Sequence, residues 1–368
     1  MKTNTKTIHN VFIKDTKATM EVTISEAAQL ALACPQNAIV LDGAPGSGKT
    51  FGTTAELEKA GYRVVRIDAQ NVPSDWLAAL PVVDKNDPTV VHMASHDMWK
   101  PQTRTAFILD ELYKADKHIV DAFLPLVFGN EFMGHKYGAD TIRIITTNGR
   151  AFSLGDRELP HMGNRTTRLH IRDLTVKEAQ KTMVNLSFDY RVLQWMQEYP
   201  QALVSYNAKA AKLADSEDKD YFGYKPSDPT RKFCSMRSLE IASGWLKAKD
   251  DGLPDALVRS AVAGAIGERA ALSLFSYINE NSSEKLPTYV DMIKGNFDVE
   301  GYTQFGRRNM VVKLACSALE EDKAGLIKAI AKFDNEFRRL FTMYVVHKYW
   351  ALNNIGQNKE WDKLISPR

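Results

Sequence analysis

Gly43-Ala44-Pro45-Gly46-Ser47-Gly48-Lys49-Thr50 decides the fold of this chain. The octet is a complete phosphate-binding loop, and its spacing follows from what a phosphate needs. Glycines let successive backbone N–H groups turn inward around a β-phosphate, Lys49 reaches the β- and γ-oxygens, and Thr50 offers a hydroxyl to magnesium. Phe51 completes the expected nucleotide-binding segment. Apolar Ile39-Val40-Leu41 precedes the loop as a buried parallel strand, and Thr53 to Glu58 follows as a helix whose N-terminal dipole faces the phosphates.

Outward from the loop, short apolar runs recur at Arg63 to Ile67, Ala106 to Leu109, Arg143 to Thr147 and Arg168 to Ile171. With Ile39 to Leu41 they predict five strands joined by long crossovers, hence an α/β fold with a parallel sheet covered by helices on both faces. Ligands of such sheets collect at the carboxyl ends of the strands. The phosphate loop, Asp110-Glu111 and Asn148 all follow or end a strand and so fall on that edge. After about residue 172 helical spacing takes over, as in Val176 to Leu186 and Leu257 to Ile278. Ala214 to Arg231, dense in Asp, Lys, Ser and Pro, reads as an exposed loop. Phe333, Phe337, Phe341, Tyr344 and Trp350 recur along a last helical stretch and read as core aromatics, a partner-docking face being the alternative.

At 368 residues with 44% hydrophobic content, two or three packed units are expected. A net charge of +3 neither demands nor excludes a nucleic-acid partner. Cys34, Cys234 and Cys316 match no metal spacing and make a disulfide framework unexpected. Met1 to Lys6 lacks an apolar signal core and no run is long enough to span a membrane, so a cytoplasmic protein is expected, in a bacterium or a phage-infected host. His92, His96 and Asp97 lack a third His or Cys and read as surface or turn residues.

Phe107-Ile108-Leu109-Asp110-Glu111 ends an apolar strand in adjacent carboxylates. Downstream of a phosphate loop, Asp110 is suited to orient magnesium (Mg2+) and Glu111 to polarise a water for attack on the γ-phosphorus. Asn148 follows Ile144 to Thr147, where a neutral amide contacts both water and a γ-phosphate oxygen; Asn148-Gly149 is equally a strong turn dipeptide.

In this order, phosphate loop, Asp-Glu and strand-end Asn, the chain resembles AAA+ ATPases. More narrowly it is similar to the MoxR group, including versions found in bacteriophages. The supporting text adds Pro73 to Leu77, Leu80 to Asp84, Lys114-Ala115 and Gly163-Asn164-Arg165, and the likeness covers roughly residues 24 to 290. The resemblance implies a P-loop AAA+ core and assigns two arginines: Arg165 as the finger completing a neighbouring subunit's site, and Arg237 as a second sensor. Arg157 and Arg168 lie close enough to be confused with Arg165. The family often has arginine where Lys114 stands, and an aromatic where Thr166 follows Arg165; both departures bear on subunit coupling.

The expected domains are an N-terminal extension (1–23), a nucleotide-binding core (24–172), a helical lid (173–295) and a C-terminal helical segment (296–368). The implied function is Mg-dependent ATP hydrolysis by an oligomer, a hexameric ring, that remodels a protein client in chaperone-like fashion. A partner carrying a von Willebrand factor A domain is implied by the likeness alone. By the same likeness the segment Asn71 to Gln102 is an insertion able to touch a client, and Glu131 to Ala139 a short hairpin. The competing class is a nucleic-acid motor or helicase loader. Its only support is Arg307-Arg308 and the stretch from Lys328 to Arg339, which is interleaved with acids.

Overall fold

The structure, a computed structural model, describes residues 21–77, 80–148, 160–203, 222–223, 230–281, 284–348, 350–351 and 359–365. Arg157 and most of the expected loop from Ala214 to Arg231 lie outside the described residues. The chain divides into two compact units, Met1–Asp173 and Leu174–Arg368.

The first unit is built on a six-stranded parallel sheet. In chain order its strands are β1 (Glu21–Val22), β2 (Ala38–Asp42), β3 (Arg63–Asp68), β6 (Thr105–Asp110), β9 (Ile142–Thr147) and β10 (Thr166–Ile171). Two hairpins supply the intervening numbers, β4 (Leu80–Val83) with β5 (Val91–Ala94), and β7 (Glu131–Phe132) with β8 (His135–Lys136). The sheet order is β1-β10-β2-β9-β6-β3, and every adjacent pair is parallel. This is the expected fold class, one strand wider than the five anticipated. The added strand is only two residues long and comes from the presumed extension, too short for an apolar period to betray it.

All residues of β2 and β9 are buried, as strands covered on both faces require. Helices α1 (Ile24–Ala33), α2 (Lys49–Lys59) and α3 (Lys117–Phe128) flank the sheet, with a short α4 (Pro160–Gly163) before β10. One core, with Leu41, Leu57 and Ile108, lies on one side, and another, with Trp99, Phe107 and Phe123, on the other. Strand register then sets the functional edge. Asp42 pairs with Thr147, and Asp110 with both Thr146 and Asp68, so four strand ends finish at the same level.

The second unit is helical among its described residues. It comprises α5 (Val176–Asn185), α6 (Tyr190–Glu198), α7 (Met236–Asp250), α8 (Asp255–Ile266), α9 (Glu268–Asn281), α10 (Tyr289–Lys294), α11 (Gln304–Ser317), α12 (Lys323–Ala331), α13 (Asn335–Val345) and α14 (Lys359–Ile365). A single core runs through it, drawing on Trp195 and Leu274 as well as Phe333, Phe341 and Trp361. The expected core aromatics are buried there, with Trp350 half-buried.

The helical run from Leu257 to Ile278 is not one helix. Gly267 interrupts it at φ +89°, a conformation that L side chains rarely adopt. A Cβ there would meet the Lys232 carbonyl oxygen at 2.9 Å. The apolar period continues across the break, which is why spacing alone missed it.

Candidate functional site

The phosphate loop closes β2 and opens α2. Gly46 and Gly48 take positive φ, +74° and +84°, so these two glycines of the octet are favoured by backbone geometry. Lys49, only 6% exposed, donates from Nζ to the carbonyl oxygens of Gly43 and Ala44, each at 2.9 Å, and to Asn148 Oδ1 at 3.2 Å. Burial brings its pKa down from 10.5 to about 8, while Asp42, Asp110 and Glu111 pull it back up. The Ser47 hydroxyl is buried without a hydrogen-bond partner, which fits a loop built around a polar ligand. Phe51 is exposed beside the loop, and Ile24 lies against Gly48 and Gly52.

Thr50 Oγ1 donates to Asp110 Oδ1 at 2.9 Å, and the same oxygen accepts from Thr146 Oγ1. A hydroxyl and a carboxylate side by side are hard oxygen donors and fit magnesium, an ion usually held by one or two carboxylates together with waters and phosphates. Glu111, at φ +52°, is turned off the end of β6. Its Oε2 accepts from Gln70 Nε2 at 2.5 Å and Lys114 Nζ at 2.6 Å, and its Oε1 from Asn148 Nδ2. Asn148 thus bridges Lys49 and Glu111 through its two amide atoms.

The structure therefore brings Lys49, Thr50, Asp110, Glu111 and Asn148 into one hydrogen-bonded group at the carboxyl ends of β2, β6 and β9. Arg165 is exposed after α4, its guanidinium 5.4 Å from the centroid of the Phe128 ring. Arg168 is a different kind of residue, bonded at 3.3 Å to Asp42. Arg237 belongs to the second unit, exposed in the first turn of α7. His92 pairs with Asp84 at 2.7 Å and His96 caps a short turn. Among the described residues no group of three or more His, Cys, Asp or Glu could hold a metal.

Two site residues escaped the sequence reading. Gln70 follows β3 and Thr146 lies within β9, yet both touch the carboxylates. Gln70 lies two residues beyond the end of β3, outside the strand-end positions that found Asp110 and Asn148, and no motif marks it.

No family model matches this sequence, and no curated protein does. Solved structures give faint likenesses. The chain is similar to NtrX from Brucella abortus at 14% identity, covering 87% of this chain and 67% of that one, with a TM-score of 0.36. The same protein in complex with ATP gives 14%, 94%, 71% and 0.35. The RuvB Holliday junction branch migration motor of Thermotoga maritima gives 13%, 83%, 86% and 0.29. Likenesses this slight leave the chemistry to be read from the side chains. Among the described residues no helix is long and apolar enough to cross a membrane.

Proposed function

We propose that this chain is a Mg-dependent ATPase of the AAA+ class, related to the MoxR group, that works as an oligomeric ring. The observation that carries the reading is the joining of Lys49, Thr50, Asp110, Glu111 and Asn148 at the ends of three parallel strands. Lys49 trades its carbonyl contacts for β- and γ-phosphate oxygens. Thr50 and Asp110 are the residues that would hold magnesium, which supplies charge neutralisation on the phosphates when bound. Glu111 accepts the proton of the water whose oxygen attacks the γ-phosphorus, as the bond from that phosphorus to the leaving ADP breaks. Asn148 positions that water, and its bond to Glu111 ties the base to the occupancy of the loop.

Arg165 acts on the neighbouring subunit's site, and its exposure is compatible with that role. An arginine supplied in trans raises turnover by about 10³ to 10⁵ in related chemistry. Arg237 is the second sensor of the helical lid (173–295). The client is a protein, met by the β4–β5 hairpin, where Leu80, Val82, Val83, Val91 and Met93 are all exposed. An adaptor with a von Willebrand factor A domain belongs to the same reading.

The decisive experiment is ATP turnover per chain against protein concentration with magnesium present, with oligomer size followed on the same samples. Turnover that climbs and saturates as oligomers form supports shared sites. Arg165→Ala doped into the unaltered protein then depresses activity more than dilution does. Turnover by a species that sizes as a monomer, at the full rate, overturns the ring reading.

A further inference from the structure

The second unit contains a cleft of about 740 Å³ that the ATPase reading leaves unused. Phe222 and Ile266 contribute apolar lining, and Arg231, Lys232 and Arg269 line it with one acid, Glu268, among the described residues. None of the three cations makes an ion pair or side-chain hydrogen bond among the described residues. Within the same unit Arg191 pairs with Asp189 and Asp250, and Arg259 and Lys249 with Asp255.

The cleft also holds the start of α9, a helix of 14 residues. Its first-turn N–H groups have no capping side chain, because the preceding residue is Gly267. Nor can substitution provide one, since φ +89° and the Lys232 carbonyl forbid a Cβ. Helix starts ordinarily gather acids, which offset the positive end of the dipole. Here the first turn carries one acid, Glu268, while Arg231, Lys232 and Arg269 line the same cleft, so among the described residues cations outnumber acids and an anion is favoured there. The size is that of a small-ligand site with a few polar groups and some apolar lining.

We propose that this cleft binds a phosphate group, in addition to the phosphate loop of the first unit. Arginine recognises phosphate through its planar fork, and the open N–H groups at the start of α9 add directional donors. The phosphate is carried either by a small phosphorylated molecule or by a nucleic-acid strand.

The test uses the full chain with Lys49→Ala, which weakens the loop site, in magnesium-free buffer. Calorimetric titration with inorganic pyrophosphate and, separately, with a single-stranded oligonucleotide is compared with the same chain carrying Lys232→Glu and Arg269→Glu. Binding that weakens by about a hundredfold, roughly tenfold per cation, supports the site. Similar affinity for the two probes indicates a small phosphorylated ligand. A tighter oligonucleotide with a steep salt dependence indicates a strand backbone. Without ligand, the reversed variant melts no lower than its parent, because it reduces an excess of positive charge. Should it melt lower, Lys232→Gln with Arg269→Gln replaces it, with a loss of about tenfold expected. Absence of binding by both probes, or equal binding after charge removal, overturns the proposal. Either result leaves the nucleotide site of the first unit unaffected.

Discussion

Lys49 in the first unit and Lys348 in the second are both sealed from solvent, 6% and 2% exposed, and burial brings each down to about 8. Their company differs. Lys49 faces Asp42, Asp110 and Glu111, whereas Lys348 Nζ donates to Ser187 Oγ at 2.6 Å and to the Cys316 carbonyl oxygen at 2.8 Å, both neutral. Lys247, the next cation, donates to the Ser187 carbonyl oxygen and depresses Lys348 further. A displaced pKa therefore does not mark a functional site by itself. What separates the two is whether the surrounding groups can do chemistry: carboxylates on a strand edge in one case, a clamp on the turn between α5 and α6 in the other.

The largest effect that sharpens this contrast is expected at Glu111. Glu111→Gln keeps the shape of the side chain and removes the proton acceptor, so turnover falls by about 10² to 10⁴ while ATP binding persists. Turnover at the unaltered rate breaks the assignment of the base. Next comes the lysine itself. Lys49→Ala removes charge-assisted bonds to phosphate and weakens ATP binding by about tenfold to a hundredfold, measured by equilibrium titration. Lys348→Met leaves turnover within about twofold, and a larger loss would mean that the two lysines are not as different as their neighbours suggest.

The contrast has a further arm in stability. Burial lowers Lys348 from 10.5 to about 8, so between those values the unfolded chain keeps a proton that the folded chain has shed. Where the unfolded state binds more protons, stability rises with pH. Below about pH 8 both states are charged, and the folded state carries the whole cost of the buried ammonium. Replacement by Met leaves Ser187 Oγ and the Cys316 carbonyl without this donor, a cost of about 1 to 3 kcal/mol that below about pH 8 is offset in part by removal of the buried ammonium. Between pH 8 and pH 10, denaturant titrations should show the unaltered protein gaining on the order of 1 to 2 kcal/mol relative to Lys348→Met. Parallel curves for the two would show that Lys348 does not titrate in this window.

The grouping of the first unit's candidate site was legible in the sequence because its residues lie in short segments at strand ends. The octet, the Asp-Glu pair and Asn148 each sit where an apolar run stops, and parallel register carries them to one edge. Gln70 was missed although β3 itself was anticipated, since its side chain carries no motif and matters only through its bond to Glu111. The second unit was legible as helical and little more. Its periodic apolar residues run straight through Gly267, and the Lys232 carbonyl oxygen that a Cβ there would meet comes from far off in sequence. The grouping of Arg231 and Lys232 with Arg269 depends on that same break, so no linear pattern announces it.

The smallest expected effect is the finest test of how the first unit's site is poised. Glu111 is held by three donors, and one of them, Lys114, stands where the resembled family often has arginine. The Lys114–Glu111 contact is 2.6 Å long, with the side chains 25% and 27% exposed, so water screens it in part and its net strength is about 0 to 1 kcal/mol. Before Glu111 can face a water it has to leave this ammonium, whereas the bond to Asn148 keeps it beside the γ-phosphate position. Lys114→Met should therefore raise turnover, by no more than about fivefold. It should also leave ATP affinity unchanged, since Lys114 makes no contact with the phosphate loop beyond its charge on Lys49. A fall in turnover at constant affinity would mean that Lys114 aims the carboxylate, and that the pair is part of the catalytic geometry and not a restraint upon it.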